Sequence, residues 1–133
     1  IVYPVHKNPA VRQIACEILS NHPRIRLTEP LDVLDFHNFM AKSHLILTDS
    51  GGIQEEAPFL GKPVLVMRDT TERPEGIAAG TLKLVGTEEG KIYRAFTRLL
   101  TEKSAYEAMA HAASPYGQGY ASSTIADVLE AQL

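Results

Sequence analysis

Short apolar runs, bounded by turn-forming residues, divide the chain at regular intervals. The clearest are residues 45–47 and 64–67, which contain only Leu, Ile, Val and Met. Continuous runs of this kind are typical of parallel strands that are covered on both faces, whereas a strand with one solvent-exposed face alternates apolar and polar residues. We predict five strands, at residues 1–5, 24–28, 44–48, 64–67 and 81–85.

Between the predicted strands, apolar residues recur three or four positions apart, which is the spacing of one helix face. The pattern predicts helices at residues 10–20, 31–43, 88–101, 103–113 and 122–133. A further short helix begins after Gly52, and Pro58 is expected to bend or end it. Residues 68–76 are polar and charge-dense and are predicted to be a loop. Alternating strands and helices indicate an α/β fold, with a parallel sheet that carries helices on both faces.

Residues 48–57 follow the third predicted strand and form the centre of the predicted site. Ser50, Gly51 and Gly52 turn the chain into a helix, whose first N–H groups lack partners and whose dipole is positive there. Phosphate binds well at such a helix start, and glycine leaves room for it. Glu55 or Glu56 then lies within reach of ribose hydroxyls. We interpret the segment as a nucleotide site; the same residues are also compatible with a tight strand-to-helix connection.

Two other polar loops, residues 6–8 and 68–75, also follow predicted strands. The carboxyl ends of parallel strands meet at one edge of a sheet, and ligands of open α/β sheets bind outside that edge. The three loops together therefore favour a ligand site more strongly than any one motif does.

The composition is that of an ordinary globular protein, with 133 residues, 44% hydrophobic and 22% charged residues, which suits one domain. The net charge is −3 and the basic residues are scattered, so we expect neither nucleic acid nor a membrane as a partner. The single Cys16 excludes an internal disulfide and is expected to be a small core residue on the apolar side of a helix. Because the chain opens at Ile1 inside a strand pattern, we expect it to be a piece of a longer polypeptide.

Four segments resemble the bacterial non-hydrolysing UDP-N-acetylglucosamine 2-epimerases: YPVHKNP at 3–9, LTDSGGIQEEAP at 47–58, RDTTERPE at 68–75 and PYG at 115–117. The resemblance runs through essentially the whole chain, but it covers only the carboxyl-terminal half of that enzyme. It implies a Rossmann-like parallel sheet with helices on both faces, the carboxyl-terminal half of a GT-B fold. Residues 1–133 would then be the UDP-binding domain, without the amino-terminal domain.

The same resemblance implies roles for individual residues. Ser50, Gly51 and Gly52 would hold the UDP phosphates, and Glu56 would accept hydrogen bonds from the ribose hydroxyls. Arg73 would lie near the diphosphate, where a planar guanidinium suits phosphate oxygens. On the residues alone, a surface ion pair of Arg73 with a neighbouring glutamate, at 72 or 75, is nearly as good an interpretation.

Two further residues come from the resemblance. Phe36 would lie against uracil, although its spacing alone favours a core position. His6 would lie at the interdomain cleft and contact a nucleotide sugar, which in some members is a second, activating UDP-N-acetylglucosamine.

The reaction implied by the resemblance interconverts UDP-N-acetylglucosamine and UDP-N-acetylmannosamine. UDP is eliminated and then added back from the opposite face, which requires a carboxylate base and stabilisation of the leaving diphosphate. The acid/base carboxylates of the family lie in its amino-terminal half, so we expect no catalytic residue here and an inactive chain. We expect no cofactor and no metal. The resemblance further implies a cytoplasmic homodimer that feeds the synthesis of cell-surface polysaccharides, with UDP and UDP-N-acetylhexosamines as its ligands.

Two alternatives stay open at this point. The first is another GT-B nucleotide-sugar enzyme, either a glycosyltransferase or the hydrolysing epimerase. The second is a stand-alone nucleotide-binding regulatory module that carries out no chemistry.

Overall fold

The structure is a computed structural model, which describes residues 1–117 and 119–132. The chain divides into two compact units, Ile1–Phe39 and Met40–Leu133. Each unit contains its own parallel sheet, with two strands in the first and three in the second.

The first unit is a strand–helix–strand unit followed by most of a second helix. Its elements are β1 (Val2–Pro4), α1 (Pro9–Leu19), β2 (Arg26–Thr28) and α2 (Val33–Lys42), the last of which crosses the boundary between the units. The two strands are parallel, with Val2 opposite Arg26 and Pro4 opposite Thr28. Pro9 suits the first position of α1 because the missing N–H is not needed there.

The second unit is built on β3 (Ile46–Thr48), β4 (Val64–Val66) and β5 (Leu82–Leu84), in that order across the sheet. Its helices are α3 (Gly51–Phe59), α4 (Pro74–Ala79), α5 (Glu89–Thr101), α6 (Lys103–Ala110) and α7 (Ala121–Glu130). All three residues of the central strand β4 are fully buried. A strand that is covered on both faces needs apolar side chains on both, which explains the continuous apolar run at this position.

The core of the second unit forms where α5 packs on β4. Leu65 of β4 is fully buried and belongs to one cluster with Val85, Ala95 and Leu99. Ala95 and Leu99 lie four residues apart on α5, so they share the helix face that meets the sheet. This packing holds β4 and β5 in place, and with them the loops that follow these strands.

The predicted α/β class, with parallel strands and flanking helices, is confirmed. All five predicted strands are present, each shorter than predicted. The expected single sheet is instead divided into two, since β1 pairs with β2 and β3 pairs with β4. Which strands pair by hydrogen bonds cannot be inferred from apolar runs, because a run predicts that a strand is buried but not which strand lies beside it.

Two details of the helices differ from the prediction. Residues 68–76 are not entirely a loop, since α4 begins at Pro74 and ends at Ala79, and its C-cap residue Gly80 adopts a positive φ of 81°. Proline at a helix start and glycine just past its end are the sequence signals for such a helix. Pro58 lies inside α3 rather than ending it. The predicted last loop and last helix include Gln118 and Leu133, which lie outside the described residues.

The expectation that Cys16 is a core residue is wrong, because its side chain is exposed. On α1 the buried residue is Ala15, whereas Ile14 and Ile18 are also exposed. The apolar side of this helix is therefore only partly covered within the chain. Within the described residues, we find no helix that has both the length and the apolar character needed to span a membrane.

We predict that Leu65→Ala lowers the free energy of unfolding by about 2–5 kcal/mol, because it removes fully buried methyl groups and leaves a cavity in the central strand. Urea unfolding followed by circular dichroism measures this change. The matched control is Leu100→Ala, at a side chain that is 53% exposed, for which we expect a change within about 0.5 kcal/mol. Equal losses in the two variants would contradict the proposed core.

Candidate functional site

Two of the three predicted polar loops lie in the second unit, where they follow adjacent strands. Residues 49–50 lead from β3 into α3, and residues 67–73 lead from β4 into α4. Because β3 and β4 are parallel neighbours, both loops leave the same edge of the sheet. The start of α3 and the acid-and-arginine loop are thereby brought together.

At the start of α3, no side chain of the N-cap residue caps the backbone N–H groups. Ser50 is the N-cap residue, with extended backbone angles, and its side chain makes no capping hydrogen bond. Its own N–H instead donates to Thr48 Oγ1 at 3.0 Å, which fixes the turn. The N–H groups of the first helical turn have no intrahelical acceptor, and the helix dipole is positive at this end. The Ser50 hydroxyl and these N–H groups form a set of donors suited to an anion.

A carboxylate already lies beside this helix start. A Cβ atom built on Gly51 would lie 2.7 Å from Glu72 Oε1, so Glu72 occupies the space next to Gly51. Glu72 also accepts a hydrogen bond from Arg68 Nη1, with a distance of 2.8 Å to Oε2. A backbone hydrogen bond at Glu72 and the positive charge of Arg68 lower the pKa of the Glu72 carboxyl. Glu72 is therefore ionised at neutral pH, and its carboxylate lies at the helix start, where an anionic ligand would also bind.

Glu56 lies on the same side of α3 as Gly52, one turn further along the helix. A Cβ atom on Gly52 would lie 3.9 Å from Glu56 Oε1, an ordinary contact distance. Gly52 and Glu56 are both exposed, so a ligand at the helix start also has access to this carboxylate.

Gln54 joins the two loops, although no sequence pattern pointed to it. Its side chain is fully buried, and its Nε2 donates to the Ser50 carbonyl oxygen at 3.2 Å. Its Oε1 accepts from Thr71 Oγ1 at 2.6 Å, and the same Thr71 oxygen accepts from the Arg73 N–H at 3.0 Å. Since each polar atom in this chain of bonds is paired, the loop after β4 is fixed against the start of α3. The sequence offered only a weak signal, since Gln54 lies three and four positions before Ala57 and Pro58 but next to the charged Glu55 in a helix of 9 residues.

Arg73 is held at the end of this chain of hydrogen bonds. Its Nε contacts Glu55 Oε1, and its Nη1 donates to the Glu72 carbonyl oxygen at 3.1 Å. The ion pair considered in the sequence analysis therefore exists, but the partner is Glu55 of α3 rather than Glu72 or Glu75. The hydrogen bond with Glu55 raises the pKa of Arg73. A guanidinium has five N–H donors, so donors remain for a ligand.

Tyr116, from the PYG segment, packs against α4. A Cβ on Gly76 would lie 2.5 Å from the Tyr116 hydroxyl oxygen and 2.4 Å from Leu82 Cδ1, so only glycine fits there. Burial, and then the negative charge of Glu75, raise the pKa of Tyr116. The segment thus supports α4 and the Arg73 loop that precedes it.

The remaining predicted site residues, Phe36 and His6, belong to the first unit. Phe36 lies on α2 and is half-buried. Its ring is therefore less buried than a core residue and less exposed than a free stacking surface. His6 is exposed, and its Nδ1 accepts from the Asn8 N–H at 3.1 Å, so the side chain stabilises the turn before α1. Ser50, Gly51, Gly52, Glu56 and Arg73 all belong to the second unit.

Comparison with known proteins identifies the family. The profile described as UDP-N-acetylglucosamine 2-epimerase matches residues 1–130 of the chain. The chain belongs to this family. The resemblance found in the sequence is thereby confirmed, and with it the Rossmann-like half of a GT-B fold.

Individual family members are closely similar. The UDP-N-acetylglucosamine 2-epimerase of Bacillus subtilis is 60% identical over 129 residues, which are 97% of this chain and 34% of that protein. A solved structure described as the S. aureus MnaA–UDP co-structure is 56% identical, has a TM-score of 0.92, and matches 97% of this chain and 35% of its own. The Neisseria meningitidis UDP-GlcNAc 2-epimerase bound to UDP-GlcNAc is 54% identical with a TM-score of 0.88, over 98% of this chain and 36% of its own. The chain thus spans about a third of the length of these epimerases.

We predict that Gln54→Leu lowers the free energy of unfolding by about 1–3 kcal/mol, because two partly buried groups, the Ser50 carbonyl and the Thr71 hydroxyl, lose their partner while the volume hardly changes. Faster hydrogen exchange of the residue 71–73 amides should accompany this loss.

The control for Gln54 is Gln13→Leu, which removes an exposed hydrogen bond to Glu17 on α1 and should change the stability by less than about 0.5 kcal/mol. Unchanged exchange at residues 71–73 in Gln54→Leu would show that this side chain does not hold the loop.

Proposed function

We propose that this chain is the UDP-binding part of a non-hydrolysing UDP-N-acetylglucosamine 2-epimerase. The complete protein interconverts UDP-N-acetylglucosamine and UDP-N-acetylmannosamine by elimination and re-addition of UDP. Residues 1–133 act as its carboxyl-terminal nucleotide-binding domain, and the domain with the acid/base carboxylates lies outside them. Two similar proteins whose structures contain UDP or UDP-GlcNAc support this choice of ligand.

The start of α3 is the observation that carries the proposal. Its first-turn N–H groups, and the Ser50 hydroxyl that makes no capping hydrogen bond, are suited to an anion at Gly51 and Gly52. We assign this anion to the UDP diphosphate. Arg73 is fixed nearby through Thr71 and Gln54 and adds a positive charge. UDP leaves as a diphosphate when the sugar bond breaks, so donors held ready at this position stabilise the charge that develops.

The other contacts follow from this position of the diphosphate. Glu56, beside Gly52, accepts hydrogen bonds from the two ribose hydroxyls. By the family resemblance, Phe36 lies against uracil and His6 contacts a nucleotide sugar at the cleft. The Nδ1 atom of His6 is engaged by Asn8, which leaves Nε2 for that contact. We also expect a cytoplasmic homodimer, again from the resemblance.

We predict that the chain binds UDP more tightly than UMP, and that Glu56→Ala weakens UDP binding roughly tenfold or more, the effect of losing charge-assisted hydrogen bonds. Isothermal titration calorimetry measures both differences. Glu89→Ala, which removes an exposed carboxylate from the start of α5, is the matched control and should leave UDP binding unchanged. Equal losses in the two variants would contradict the assignment of the ribose site to Glu56.

We predict that the 133-residue chain alone does not epimerise UDP-N-acetylglucosamine, because the base for C2 lies in the other domain, whereas the product of the complete natural gene does. Chromatography of the nucleotide sugars measures both rates. Free N-acetylmannosamine as the product would indicate the hydrolysing epimerase instead, and transfer of the sugar to an acceptor would indicate a glycosyltransferase. Binding without any turnover by the complete product would favour the regulatory module.

A further inference from the structure

A cavity lies in the second unit, and none of its described lining residues belongs to α3. It has a volume of about 480 Å³, within the range of roughly 300–1,000 Å³ that small-molecule sites occupy. Its lining comes from the ends of β4 and β5 and from one face of α5, with Val85 and Ala95 among the apolar residues. No role in the proposed reaction requires this cavity.

Five basic side chains line the cavity: Arg68, Lys83, Lys91, Arg94 and Arg98. They are five of the 13 Lys and Arg residues of a chain whose net charge is −3. The only acidic residue in the described lining is Asp69. Such a concentration of positive charge in a concave, partly apolar surface raises the local potential for anions.

The helix spacing produces this arrangement. Lys91, Arg94 and Arg98 lie three and four residues apart on α5, so all three project from one face of the helix. Lys83 reaches the cavity from β5, and Arg68 from the carboxyl end of β4. Basic residues from three separate elements thereby converge on one space.

Three of these cations form exposed ion pairs with carboxylates three or four residues away in the sequence. Arg68 pairs with Glu72 at 2.8 Å, Lys91 with Glu88 at 3.1 Å and Arg98 with Glu102 at 2.9 Å. Exposed pairs of this kind contribute little and exchange partners readily. Within the described part of the chain, Lys83 and Arg94 have no ion-pair partner. The cavity therefore presents, beside the carboxylate of Asp69, two cations without an ion-pair partner in the described residues and three that belong to exposed, weak ion pairs.

We propose that this cavity binds a small anion with at least two phosphate groups, held mainly by Lys83 and Arg94. The planar guanidinium of Arg94 suits two phosphate oxygens, and the ammonium of Lys83 provides a compact second charge. A diphosphate carries more charge and more oxygen acceptors than a single phosphate, so it can contact more of the five basic side chains at once. The limited volume of the cavity and the negative net charge of the chain favour a small anion over a nucleic acid.

The test is a titration of the complete natural gene product, labelled with ¹⁵N-glycine, with inorganic pyrophosphate. The Gly86 amide reports on the cavity because Gly86 lines it, and the Gly51 and Gly52 amides report separately on the proposed nucleotide site. We expect a saturable shift of the Gly86 signal, with inorganic phosphate binding roughly tenfold more weakly because one charge-assisted contact is lost. Equal binding of the two anions would overturn the requirement for two phosphates.

The variants decide whether Lys83 and Arg94 hold the anion. The double variant Lys83→Gln with Arg94→Gln should weaken pyrophosphate binding at Gly86 at least roughly tenfold. Both side chains are exposed, so the fold should be retained. The control is Arg24→Gln with Lys42→Gln, which makes the same change of net charge at exposed residues outside the cavity and should bind like the unaltered protein.

Three results would overturn this proposal. The first is no saturable shift of Gly86 at millimolar pyrophosphate. The second is equal weakening in the control variant, which would indicate a general charge effect. The third is a shift confined to Gly51 and Gly52. That last result would leave the proposed nucleotide site supported, whereas a shift confined to Gly86 would support the cavity alone, so the two proposals fail separately.

Discussion

The side chain of Gln54 is the constraint on which the rest of the site depends. It is fully buried, and its two ends bond the Ser50 carbonyl and the Thr71 hydroxyl. An amide is suited to this position because it donates at one end and accepts at the other. The bond to Ser50 sets the direction of the helix start, and the bond to Thr71 carries the constraint on to Arg73. Backbone donors and a guanidinium, which come from loops after different strands, are thus held in one arrangement before any ligand binds.

Around this link the charges are arranged in two ion pairs, one between the loop after β4 and α3 and the other within that loop. Arg73 pairs with Glu55 of α3, and Arg68 pairs with Glu72, whose carboxylate lies beside Gly51. A helix start attracts negative charge, and the Glu72 carboxylate lies beside this one. If the diphosphate binds at Gly51 as proposed, it displaces or turns this carboxylate, which Arg68 can accompany because the pair is exposed. Under that proposal, the affinity for UDP reflects the difference between two anions at one position.

Much of the fold and the edge that carries the site could be predicted, since continuous apolar runs such as residues 64–66 reflect burial on both faces of β4. The position of the Ser-Gly-Gly turn at the end of β3 followed from the same pattern. Gln54 could not be predicted, because α3 has only 9 residues and does not reveal which face is buried. Cys16 was placed wrongly because apolar spacing identifies a helix face but not what covers it. The pairing of β1 with β2 and β3 with β4 depends on long-range contacts that no local pattern contains.

The position of the diphosphate is best tested by a crystal structure of the complete natural gene product with UDP bound. We expect diphosphate oxygens within hydrogen-bond distance of the Gly51 and Gly52 N–H groups and the Ser50 hydroxyl. The Glu72 carboxylate should have moved away from Gly51, while Gln54 keeps both of its bonds. A diphosphate bound elsewhere, with Glu72 still beside Gly51, would contradict the proposed site.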